Sequence, residues 1–164
     1  MSAGTIALVG LGGNLGDAAA TLRQAFQELD ALPSTRLLRA SRLYRSRAWG
    51  RTDQPDFINA VAMLETTLGA RELLDAMLGI EHGAGRERHP DERWGPRTLD
   101  LDLLLYGDAV MDEPGLHVPH PHLHERAFAL VPLVEIAPDA MIPGIGAART
   151  ALAAMEPSGI EALG

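Results

Sequence analysis

Thr5-Ile6-Ala7-Leu8-Val9-Gly10-Leu11-Gly12-Gly13-Asn14-Leu15-Gly16-Asp17 is a β-prone apolar run that meets a glycine block and then an acidic residue. The pattern predicts a strand over 5–9, broken by the glycines, and a helix opened by Asp17. In that helix Leu22, Ala25, Phe26 and Leu29 share one face, and Pro33 marks the stop. Beyond it, Thr35 to Arg47 favours one extended strand and Ala48 to Asp56 a loop. Phe57 to Thr66 reads as another strand, and Ala70 to His82 as a second helix with Leu73, Leu74, Met77 and Leu78 as its stripe. Arg86 to Thr98 is polar, and Leu99 to Tyr106 is a short, strongly apolar strand. The first 106 residues therefore run β-α-β-β-α-β. The fold class expected is α+β, a ferredoxin-like βαββαβ core whose antiparallel sheet carries its helices on one face. A C-terminal extension follows, with short helices expected over 124–131 and 147–155. Residues 1–164 are expected to form a single domain.

Composition narrows the chemistry. The chain has no cysteine, so disulfides, thiolate-zinc sites and a thiol nucleophile are excluded. It has no lysine either, since all 14 basic residues are arginine, which excludes a Walker-type phosphate loop and Schiff-base chemistry. A net charge of −8 and 4% aromatic residues argue against general nucleic-acid binding. No run approaches the roughly 18 apolar residues of a membrane span, and the N-terminus lacks the marks of a signal peptide. A cytoplasmic protein acting without membrane or nucleic acid is expected.

Four groups of residues are candidates for chemistry. The glycine block has the spacing G-x-G-G-x-x-G, which is neither a dinucleotide fingerprint nor a phosphate loop. It is either a tight turn or bare backbone that a planar ligand can approach. Asp100 and Asp102 stand at i and i+2 of a strand and so share a face, with Cα atoms about 6.6 Å apart. They are either a solvated strand end or a pair held by divalent cations, because two carboxylates leaving an apolar strand together repel unless neutralised. Arg86, Arg88, Arg93 and Arg97 crowd into twelve residues just ahead of them, either as surface ion pairs or as forks for phosphate oxygens. His117, His120, His122 and His124 alternate with other residues. Zinc is one reading of them, and a histidine donating to phosphate is the other.

Arg93-Trp94-Gly95-Pro96-Arg97-Thr98-Leu99-Asp100-Leu101-Asp102-Leu103-Leu104 resembles the signature of the 6-hydroxymethyl-7,8-dihydropterin pyrophosphokinase family. Leu11 to Asp17, Ser41 to Ser46, Asp53 to Ala60, Val118 to Pro121 and Glu125 to Phe128 resemble further segments of it in the same order. The resemblance implies that diphosphate passes from ATP to the pterin hydroxymethyl group, leaving AMP. It implies two Mg2+ ions held by Asp100 and Asp102, with Asp102 also a candidate to accept a proton. Phe57 and Phe128 would sandwich the pterin, Asn59 would read its polar edge, Gly12 would lie against it, and Trp94 would close over the pocket. Arg86 and Arg97 would act on the transferring group, and Arg88, Arg97, His120 and Arg126 would bind ATP. A monomer is expected. Two other readings of the residues remain: a small-molecule sensor of similar fold without catalysis, and an RNA-recognition module. The latter calls for stacking aromatics that Leu99 to Tyr106 does not offer.

Overall fold

The computed structural model describes residues 4–14, 16–46, 56–84, 98–155 and 159–163. Strand β1 (Thr5–Gly13) is followed by helix α1 (Ala18–Asp30), strands β2 (Thr35–Ala40), β3 (Leu43–Ser46) and β4 (Phe57–Thr66), helix α2 (Ala70–Gly83) and strand β5 (Asp100–Tyr106). Both helices start as their residues require. The Asp17 carboxylate accepts the Ala20 N–H at 3.1 Å, and Glu72 reaches back to the Gly69 N–H at 3.0 Å.

The main sheet is antiparallel, with β1 between β4 and β5 and with β2 and β3 both paired to β4. Ala7, Val9 and Leu11 of β1, Ile58, Ala60, Ala62 and Leu64 of β4, and Leu101 and Leu103 of β5 point to one face. There they pack against Leu22, Phe26 and Leu29 of α1 and Leu73, Met77 and Ile80 of α2. This is the expected ferredoxin-like core.

The C-terminal extension supplies a second core on the opposite face. A hairpin of β6 (Met111–Glu113) and β7 (Leu116–Val118) leads into a 3-10 turn (Leu123–Glu125) and helix α3 (Ala127–Ile136). A small ribbon, β8 (Met141–Ile142) with β9 (Gly146–Ala147), precedes α4 (Ala148–Ala153), and β10 (Glu161–Leu163) pairs with β3. Leu130, Leu133 and Ile136 of α3 pack on Leu8, Val61, Leu104 and Leu105. Leu104 is the extra residue of a bulge, since Val9 faces Leu103 while Leu8 faces Leu105. The bulge reverses the alternation, so that two successive leucines enter the second core.

Three expectations are corrected. The glycines do not end the first strand: β1 continues through Gly13, because its backbone is paired on both sides by β4 and β5 and needs no side chain to hold it there. The extended run from Thr35 is two strands, interrupted at Ser41 and Arg42, and Arg47 lies outside the described residues. At the interruption the Ser41 N–H donates to the Val61 carbonyl at 2.9 Å, and the Ser41 hydroxyl accepts the Val61 N–H at 2.9 Å. The helix expected over 124–131 instead begins at Ala127 and runs through Pro132, which is buried. Proline there forfeits one bond, to the carbonyl of Phe128, and packing offsets the loss.

Ser41→Ala should leave the Val61 N–H buried without its partner. A loss of about 1–3 kcal/mol in urea-unfolding free energy is expected, and an unchanged midpoint would contradict the role given to this hydroxyl.

Candidate active site

The pleat that buries Leu11 and Leu101 turns their neighbours to the other face. Gly12 lies directly between Asn59 of β4 and Asp100 of β5, and Gly10 lies between Val61 and Asp102. The second core covers this face at Leu8, Val61, Leu104 and Leu105, and the Leu104 side chain reaches over Gly10, where an added Cβ would meet it at 3.4 Å. At Gly12 the central strand carries no side chain, with Asn59 and Asp100 on the flanking strands, which lie about 10 Å apart. A Cβ added at Gly12 would stand 2.8 Å from the Asn59 side-chain oxygen. The glycines thus lie on a strand and not in a turn, and at Gly12 the missing side chain makes room for the Asn59 amide. Phe57 is half-buried and projects from β4 to the same face as Asn59.

Asp100 is half-buried and Asp102 exposed. Both leave the strand on the open face, as the i, i+2 spacing requires. The strand that carries them is pinned along its outer edge at two points. The Leu101 N–H donates to the carboxylate of Glu81, on the last turn of α2, at 2.6 Å. The Leu104 carbonyl accepts the His120 N–H at 2.9 Å.

A cleft of about 310 Å3 opens beside Asp102. Its apolar side is Leu74, Leu101, Leu103 and Leu116, and its polar side includes His117, His120, His122 and Arg126. The His122 N–H donates to His120 Nδ1 at 3.2 Å. Nδ1 is thereby an acceptor, and the proton of the neutral ring sits on Nε2. Burial, then the nearby Arg126 guanidinium, pushes the His120 pKa down to about 4. His120 is thus a neutral donor at ordinary pH. Arg126 lies 5.7 Å from the centre of the Phe128 ring, on the first turn of α3. The histidines do not converge as zinc ligands: His117 pairs with Asp112 at 2.6 Å, and His124 with Glu125 at 3.3 Å. Among the described residues no group of three or more His, Asp or Glu could hold a metal ion by itself.

The structure thus brings Gly12, Asn59 and Asp100 into one row, and Asp102, His120 and Arg126 around one cleft. Arg86, Arg88, Trp94 and Arg97 lie outside the described residues. Glu81 went unnoticed in the sequence because it reads as an ordinary helix-end acid; only its 4% exposure sets it apart.

Residues 8–138 match the family model of 7,8-dihydro-6-hydroxymethylpterin-pyrophosphokinase. Two relatives carry the name 2-amino-4-hydroxy-6-hydroxymethyldihydropteridine pyrophosphokinase. That of Methylorubrum extorquens is 47% identical over 157 residues, covering 96% of this chain and 98% of the relative. That of Pseudomonas aeruginosa is 47% identical over 155 residues, 94% of each. Among solved structures, a Plasmodium falciparum HPPK-DHPS triple mutant superposes with a TM-score of 0.72 at 12% identity, over 93% of this chain. The chain spans 44% of that longer protein, and the likeness shows the fold alone. The family model and the relatives place this α+β domain among the pyrophosphokinases, a class of transferase. The chain belongs to the 7,8-dihydro-6-hydroxymethylpterin-pyrophosphokinase family.

A histidine held neutral when folded binds fewer protons than the unfolded chain between its folded pKa near 4 and its ordinary value of 6.5. Its contribution to stability is present above pH 6.5 and is lost as pH falls to about 4. The melting temperature of the wild type, relative to His120→Gln, should therefore decline as pH is lowered through this window. A difference independent of pH would contradict the neutral assignment.

Proposed function

We propose that this chain transfers diphosphate from ATP to the hydroxymethyl group of 6-hydroxymethyl-7,8-dihydropterin, a step of folate biosynthesis. The observation that carries this reading is the pair Asp100 and Asp102, facing out opposite side-chain-free Gly12 and Gly10, beside a cleft that holds His120 and Arg126. The hydroxymethyl oxygen attacks the β-phosphorus in line. A new oxygen–phosphorus bond forms, the bond from the β-phosphorus to the bridging oxygen breaks, AMP leaves with that oxygen, and the hydroxyl proton is released.

Such a transfer needs alignment and charge neutralisation more than covalent help. Gly12, without a side chain, lies against the flat pterin ring, Asn59 offers an amide to its polar edge, and Phe57 and Phe128 supply stacking surface. The apolar wall of the cleft suits the adenine of ATP. Its polar side, with Nε2–H of His120 and the guanidinium of Arg126, suits phosphate oxygens. By family resemblance Arg86 and Arg97 add charge at the transferring group, Arg88 binds ATP, and Trp94 covers the pterin. The two carboxylates are oxygen donors of the kind Mg2+ takes. Asp100 and Asp102 would hold two ions, whose chemistry would be to neutralise the triphosphate. Asp102 is also the acceptor proposed for the released proton.

The chain is proposed to work as one cytoplasmic domain and as a monomer. No helix among its described residues is long and apolar enough to cross a membrane. The test is direct: with ATP, the pterin and Mg2+, AMP and pterin diphosphate should appear in equal amounts. Release of ADP, or ATP consumption without the pterin, would overturn the reading.

Gly12→Ala should push the Asn59 amide from its place and weaken pterin binding by about 1–3 kcal/mol, leaving affinity for a non-hydrolysable ATP analogue nearly unchanged. Calorimetry showing equal losses for both ligands would contradict the placement of the pterin.

A further inference from the structure

A carboxylate that is 4% exposed stands at considerable cost unless something specific holds it. Glu81 sits one turn beyond Met77 and beside Ile80, two residues that anchor α2 in the first core, so its backbone position is set by packing. Its Oε2 accepts the Leu101 N–H at 2.6 Å, a short bond. Leu101 is itself buried, and it lies between Asp100 and Asp102.

An antiparallel strand directs the N–H and C=O of one residue to the same side. With its N–H turned to Glu81, Leu101 faces Leu11 as a non-hydrogen-bonded pair. Asp100 and Asp102 are then the residues whose backbones bond to Gly12 and Gly10. On the outer edge, where among the described residues no further strand pairs with β5, the Glu81 carboxylate takes the place of a strand partner. Three residues on, the His120 N–H does the same for the Leu104 carbonyl.

We propose that Glu81 is a positioning residue for the metal-binding pair. By fixing the Leu101 N–H it sets the twist of β5 at the peptide between the two aspartates, and so the convergence of their carboxylates on a divalent cation. It touches neither substrate nor metal in this role. The inference rests on the reading of Asp100 and Asp102 given above.

The test is calorimetric binding of a non-hydrolysable ATP analogue across a Mg2+ titration, for the wild type, Glu81→Ala and Glu81→Gln. The Leu101 amide resonance is followed in parallel. Partners that orient metal ligands are worth about 10–100-fold in metal affinity. Glu81→Ala should accordingly raise the Mg2+ midpoint by about tenfold, with pterin affinity within about twofold. Glu81→Gln keeps an oxygen acceptor but no charge and should fall between, and the Leu101 amide should move upfield in both. If Glu81→Ala does not fold, Glu81→Gln decides alone: a raised midpoint with a moved Leu101 amide supports the proposal. A folded variant with the wild-type Mg2+ midpoint overturns it, as does a raised midpoint accompanied by an equal loss of pterin affinity. Wild-type nucleotide binding indifferent to Mg2+ would instead sink the underlying metal-site reading.

Discussion

Side chains alternate across a pleated strand, and the site depends on this constraint. β5 cannot bury Leu101 and Leu103 against α1 and α2 without turning Asp100 and Asp102 to the opposite face. The same parity on β1 buries Val9 and Leu11 and turns Gly10 and Gly12 to the opposite face between β4 and β5. The hydrophobic core thus aims the two carboxylates. A one-residue slip of β5 would bury both carboxylates and expose two leucines, so the register is held by the full burial energy of the core.

Two glycines in the centre of a sheet weaken it locally, since they pack nothing and lose more conformational freedom on folding. The surrounding structure offsets this. β1 is bonded on both sides, and the second core of α3 and α4 begins at Leu8 and Leu104, immediately beyond the glycines. Glu135 of α3 ties that core to the broken edge strand, accepting from the Tyr44 hydroxyl at 2.5 Å and from the Arg42 N–H at 3.1 Å.

Much of this was legible in the residues. Asp17 announces α1, the 3.6 periodicity of Leu73 and Met77 announces α2, and Asp-Leu-Asp-Leu announces a strand with two unlike faces. Less legible was anything whose local signal opposes its place in the sheet. Glycine reads as a turn, yet Gly10 to Gly13 extend β1 because neighbouring strands supply the bonds. Ser41 reads as a residue of a continuous strand, yet its hydroxyl replaces a ladder bond. Pro132 reads as a stop, yet a buried helix carries it. Glu81 has no local signal at all, since its role depends on a backbone N–H twenty residues away. Similarly, the short strand β10 has its place only because β3 offers an unpaired edge.

The central claim is that Asp100 and Asp102 act as one unit facing a bare backbone row. Steady-state turnover of Asp100→Ala, Asp102→Ala and the double variant at saturating Mg2+ tests it most directly. Each single change should cost about 3 kcal/mol or more of transition-state stabilisation, and the double variant should be little worse than the poorer single. Near-normal diphosphate transfer by either single variant, or a double variant that multiplies the two losses, would contradict the account.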